Sequence, residues 1–145
     1  MTSDEPTPEL NIETQPDPHD LAFVENRLIE YNYAATGRDD GVDLAIFIRN
    51  DAGEITAGIT GYTWAGWLEV QFLWVHDGLR GQGIGKRLLL AAEAEAVRRG
   101  CKRALLDSHD FQAPDFYKKL GYEVFGVLPD FPEGYSHYFL TKKLG

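Results

Sequence analysis

At 145 residues, 43% of them hydrophobic, the chain reads as one globular domain with room for a core. No apolar run approaches the roughly 20 residues of a membrane span, no basic-then-apolar leader marks a secretory signal, and the lone Cys101 has no disulfide partner, so a cytoplasmic location is the default. The net charge is −9, but residues 1–20 hold six acidic residues and no Lys or Arg; the body is near balance, and without a basic stripe neither nucleic acid nor a membrane is an expected partner.

Residues 1–8 are polar and acidic with two prolines, which predicts a disordered leader before a single domain over residues 9–145. Leu10–Thr14 alternates as a first strand would, and Pro16 and Pro18 end it. Asp17 or Asp20 is placed to cap a helix reaching about Ala35, with Leu21, Val24, Leu28 and Tyr31 at helical spacing and Gly37 as its stop. Val42–Arg49 alternates, Asn50–Gly53 turns, and Ile55–Trp64 and Trp67–Val75 form a hairpin across the two-residue turn Ala65-Gly66.

After a glycine-rich segment, a helix buries Ile84, Leu88, Leu89, Ala92 and Ala96 and is expected to expose Glu93, Glu95, Arg98 and Arg99. Gly100 ends it. Arg103–Asp107 is apolar at its centre, as a buried parallel strand reached by a helical crossover would be. Pro114 opens a short helix that Gly121 ends, and Tyr122–Leu128 and His137–Lys143 close the fold around the loop 129–136. The class is α/β (α+β): a mixed sheet of about seven strands flanked by helices.

The segment Leu79-Arg80-Gly81-Gln82-Gly83-Ile84-Gly85-Lys86 joins a strand to a helix. Glycines there let a ligand approach the backbone, and amides converging at a helix N-terminus suit a phosphate. The spacing decides which phosphate loop is meant. A P-loop needs Gly where Arg80 stands and Ser or Thr where Arg87 stands; a dinucleotide fingerprint needs its third Gly where Lys86 stands. What fits is Arg-x-x-Gly-x-Gly, from Arg80 through Gly83 to Gly85. This resembles the coenzyme A pyrophosphate loop of the GNAT superfamily of N-acetyltransferases. A second motif about thirty residues on, Phe116-Tyr117-Lys118-Lys119-Leu120-Gly121-Tyr122, is similar to that family's Phe-Tyr-x-x-x-Gly-aromatic. The element order over residues 9–144 matches as well.

The resemblance implies an acetyl-CoA-dependent N-acetyltransferase, moving an acetyl group to a primary amine of a small molecule by direct transfer. It implies splayed fourth and fifth strands and a cofactor loop of Arg80, Gly81, Gln82, Gly83, Ile84, Gly85 and Lys86. A backbone amide near Leu73–Val75 would polarise the thioester carbonyl, with Leu73 and Val75 as the candidate donors. Tyr117 would be the general acid, since a tyrosine stays protonated near neutral pH; the competing reading is a packing aromatic. Glu69 would be the base. It shares a strand face with Trp67 and Gln71, polar residues where a covered strand should be apolar, although a Glu near a strand end also reaches solvent.

Asp107 and Asp110 follow the fifth strand and are alternative bases or substrate contacts; Asp110 stands where the family commonly has Asn. A carboxylate-bearing cleft of Glu69, Asp107 and Asp110 favours a cationic acceptor, to which Tyr33, Trp67 and Tyr135 would add cation–π contacts. None of His19, His76, His109 and His137 has metal-ligand spacing, so no metal is expected, and His109 is the one histidine near the cleft. An acyl-CoA-binding sensor or scaffold without turnover is the competing class, disfavoured by the presence of both Tyr117 and Glu69. The sequence leaves the oligomeric state open, a homodimer included.

Overall fold

The computed structural model describes residues 5–145, so part of the expected leader, residues 1–4, lies outside the described residues. The chain divides into two units, Met1–Asp39 and Asp40–Gly145.

The first unit is built on α1 (Pro18–Thr36). Asp17 caps it by accepting the His19 N–H at 2.8 Å, Pro18 takes the first helical position, and Gly37 in the left-handed region closes it by donating to the Tyr33 carbonyl at 2.8 Å. The strand expected over Leu10–Thr14 does not form. Leu10 and Ile12 are 93% and 94% exposed, and alternation without a ladder partner satisfies no backbone hydrogen bonds. Among the described residues the sheet therefore has six strands rather than seven.

The second unit carries that sheet: β1 (Val42–Arg49), β2 (Ile55–Trp64), β3 (Trp67–Val75), β4 (Arg103–His109), β5 (Glu123–Leu128) and β6 (His137–Lys143), in the order β1-β2-β3-β4-β6-β5. Only β3 and β4 pair in parallel, because α2 (Ile84–Arg98) carries the chain between them. The expected fourth and fifth strands are thus β3 and β4. Leu68 and Val70 of β3, Leu88, Leu89, Ala92 and Ala96 of α2, and Ala104, Leu106 and Leu140 form the core. Each fully buried Leu contributes about 1.5–3 kcal/mol. α3 (Pro114–Lys119) adds Phe116 and Tyr117 at the core's edge.

One expected surface residue is buried. Glu93 is only 7% exposed, four residues from Leu89 on the inward face of α2. Lys142 Nζ donates to its Oε1 at 2.7 Å and the Tyr122 hydroxyl to its Oε2 at 2.8 Å. A buried carboxylate is tolerable when paired and hydrogen-bonded in this way.

The hairpin turn is as the sequence predicts, with Trp64 opposite Trp67. Ala65 sits at φ 53 and Gly66 at φ 83. An L-residue with a Cβ is strained there, and Asn tolerates the conformation. Ala65→Asn should stabilise the protein by about 1 kcal/mol through relief of that strain, read as a raised midpoint of denaturant unfolding with an unchanged slope.

Candidate active site

The site begins with a bulge. Thr60 pairs with Phe72 but its neighbour Gly61 pairs with Val70, leaving Gln71 as an extra residue in β3. Before the bulge, Glu69 shares a face with Tyr62, its directly opposite partner on β2. After it, Leu73 and Val75 turn to the core face, so these two positions have only backbone to offer a ligand. The bulge also twists β3 away from β4. Their ladder runs Trp67–Arg103, Leu68–Ala104, Glu69–Leu105 and stops. From there Val70–Val75 and Leu106–His109 diverge, which is the splay expected between these strands.

At the end of β3 the chain makes a short 3-10 turn, Asp77–Leu79, capped by His76 accepting the Gly78 N–H. Arg80 folds back, donating from Nε to the Val75 carbonyl at 3.2 Å and pairing with Asp77 at 3.1 Å. Gly81 and Gly83 follow at φ 80 and φ 76, and a Cβ at either would meet nothing within 4 Å. Gly83 caps α2 without any side-chain hydrogen bond. The first-turn N–H groups of α2, with exposed Lys86 and Arg87, therefore face open space at the positive end of the helix dipole. That is a fit for a diphosphate. Gly85 lies where α2 meets α3, its absent Cβ 3.6 Å from the Phe116 ring.

Two acid–base candidates stand beside the gap. The Tyr62 hydroxyl donates a very close hydrogen bond to Glu69 Oε2. That bond first, then burial, then the carboxylate's charge push the Tyr62 phenol up to about 12, so it stays a donor throughout the neutral range. Glu69 keeps its other oxygen. Tyr117 lies on α3 against Phe116 and Tyr122. Burial, and secondarily the nearby Asp107 charge, raise its phenol above the usual value. Among the described residues nothing accepts a hydrogen bond from its hydroxyl.

The remaining candidates separate. Asp107 stands on β4 two residues past the last β3-paired position, and its Oδ2 lies 2.6 Å from His137 Nε2. Asp110 is occupied: its carboxylate accepts the Ser136 N–H at 2.9 Å and pins the loop 129–136. Trp67 packs under the Arg103 guanidinium, 5.8 Å from the ring centroid. Tyr33 belongs to the N-terminal unit, half-exposed on α1. Cys101 is buried with its thiol pushed up by desolvation, in keeping with packing rather than reactivity.

The sequence reading missed Tyr62 and His137. Tyr62 was accessible, because a two-residue turn at Ala65-Gly66 fixes it opposite Glu69. His137 gave no local signal, since its partner is 30 residues away.

Comparison with known proteins agrees with this geometry. The sequence model of the acetyltransferase (GNAT) family matches residues 6–122. The chain is 41% identical over 120 residues to the acetyltransferase Atu2258 of Agrobacterium fabrum, covering 83% of this chain and 88% of that protein. It is 40% identical over 101 residues to the blasticidin-S acetyltransferase of Streptomyces morookaense, covering 69% of this chain and 74% of that one. A crystal structure from Agrobacterium tumefaciens superposes with a TM-score of 0.86 at 37% identity, over 94% of this chain and 99% of its own. With a family match across most of its length, an open glycine turn at the head of α2 and strands that part beside Glu69, the chain belongs to the GNAT family of acetyltransferases.

Proposed function

We propose that the protein transfers an acetyl group from acetyl-CoA to a primary amine of a small molecule, directly and within one ternary complex. The observation that carries this reading is the gap between β3 and β4, with Glu69 at its closed end and Tyr117 beside Asp107 on its open side. Acetyl-CoA supplies the activated acyl group. Arg80 and the Gly81–Lys86 backbone hold its pyrophosphate, and a β3 amide at Leu73–Val75 donates to the thioester carbonyl, where negative charge develops in the transition state. Glu69, steadied by Tyr62, receives the proton that the attacking amine loses as nitrogen bonds to the carbonyl carbon. When the carbon–sulfur bond breaks, the Tyr117 hydroxyl donates to the departing sulfur.

A small-molecule acceptor is supported by the relative that acetylates blasticidin S. Residues 9–145 act as one catalytic domain in this reading. A panel of amines assayed by thiol release tests it: turnover of at least one amine is expected, and acetyl-CoA binding with no turnover of any would return the chain to a sensor or scaffold. Glu69→Gln should lower kcat/KM most near neutral pH and regain rate as pH rises, because the amine then loses its own proton. A rate–pH profile parallel to wild type would remove Glu69 from the base role.

A further inference from the structure

The transfer chemistry leaves one polar group unused. Asp107 has a side chain 45% exposed, while its partner His137 has one 9% exposed. His137 Nδ1 is buried with no hydrogen-bond partner. The single contact from Nε2 at 2.6 Å holds the Asp107 carboxylate in place against the ring. Among the described residues no Lys or Arg forms an ion pair with Asp107.

Aromatic rings surround this pair. His137 stacks on His109 at 4.1 Å and lies 4.7 Å from Phe131 and 4.6 Å from Phe139. His109 is fixed by its Nδ1 to the Phe131 carbonyl at 2.8 Å and stacks on Phe111 at 5.1 Å, which meets Tyr135 edge-on. Phe111, Phe131 and Tyr135 remain about half exposed. A half-exposed carboxylate held in place, with no Lys or Arg paired to it and an aromatic stack that begins at its own histidine partner, is the chemistry that recognises a cation.

Position gives the second element. Asp107 lies on the sheet face of Glu69, because Glu69 is level with Leu105 and Asp107 is two residues further along β4. That offset is about 6.6 Å along the strand. We propose that Asp107, positioned by His137 with the Phe131 and Phe139 rings against that histidine, binds a second cationic group of the acceptor, about 8 Å from the amine that is acetylated. The acceptor class is then a diamine or a larger molecule with two such groups. This rests on the acetyltransferase reading and adds specificity to it.

The test compares α,ω-diaminoalkanes of three to six carbons with 1-aminoalkanes of equal length. Wild type should favour the diamines by about tenfold to thirtyfold in kcat/KM, mainly through KM. Asp107→Asn, isosteric at a half-exposed position, should abolish that preference, read as the ratio of diamine to monoamine kcat/KM, while leaving CoA affinity unchanged. His137→Asn should weaken the preference in the same direction. Calorimetry of 1,4-diaminobutane with the CoA-loaded protein gives a readout independent of turnover. Absence of binding to wild type, or equal binding to wild type and Asp107→Asn, overturns the proposal. An equal loss of rate for diamines and monoamines in Asp107→Asn also overturns it, assigning Asp107 to the chemical step. Binding without acetylation of any amine would sink the enzyme reading and leave the cation site standing.

Discussion

Tyr117→Phe should lower kcat by about 10²-fold, the lower range for loss of a general acid, with acetyl-CoA affinity and thermal stability close to wild type. The structure makes this a clean substitution. The ring packs between Phe116 and Tyr122 and stays in the variant. The hydroxyl holds no protein group among the described residues, so its removal orphans nothing. Its raised pKa, caused by burial and then by Asp107, has a defined sign: the proton is retained across the working range and only a strongly basic partner draws on it. A departing thiolate is such a partner. The rate should stay flat as pH rises past neutrality until the phenol itself ionises, above its ordinary value of about 10. Full kcat in the variant would make Tyr117 a packing aromatic and nothing more.

Much of the site was readable because it depends on short-range rules. Ala65-Gly66 is a two-residue turn, and such a turn sets every pairing in its hairpin until a bulge intervenes, Glu69 with Tyr62 included. The glycine turn and α2 follow from local conformational demands at Gly81 and Gly83. Gln71 marks where this logic stops. Alternation through Trp67, Glu69 and Gln71 looks regular in sequence, yet Gln71 is the bulge that re-phases β3 and opens the gap. Nothing local in Gln71 distinguishes it from a paired residue; the signal lies across the ladder at Gly61, where a Cβ would come within 2.0 Å of the Glu69 carbonyl oxygen. His137 opposite His109 is harder still, since β6 enters between β4 and β5 from the far end of the chain. Leu10–Thr14 fails for the opposite reason, as its local pattern is sound but no ladder partner meets it.

Gly83→Val should reduce CoA affinity by 10²-fold or more while the domain remains folded. Two effects must be separated. At φ 76 a β-branched residue is strained, by about 1–2 kcal/mol, and the variant will be less stable for that reason alone. The second effect belongs to the ligand. A Cβ at Gly83 meets no protein atom within 4 Å, so the added side chain projects into the space above the first turn of α2 that a diphosphate would fill. Two or more charge-assisted hydrogen bonds to backbone amides, each worth about 1.5–3 kcal/mol, would then be lost together. Gly100→Val is the matched control. Gly100 also has positive φ and open space around it, but it lies beyond the C-terminal end of α2, about 22 Å of helix away. It should show a similar loss of stability and bind CoA as wild type does. Calorimetry on both variants reads the difference. Equal affinities for CoA in Gly83→Val and Gly100→Val would mean the glycine turn at the head of α2 holds no phosphate, and the assignment of Arg80–Lys86 would fail with it.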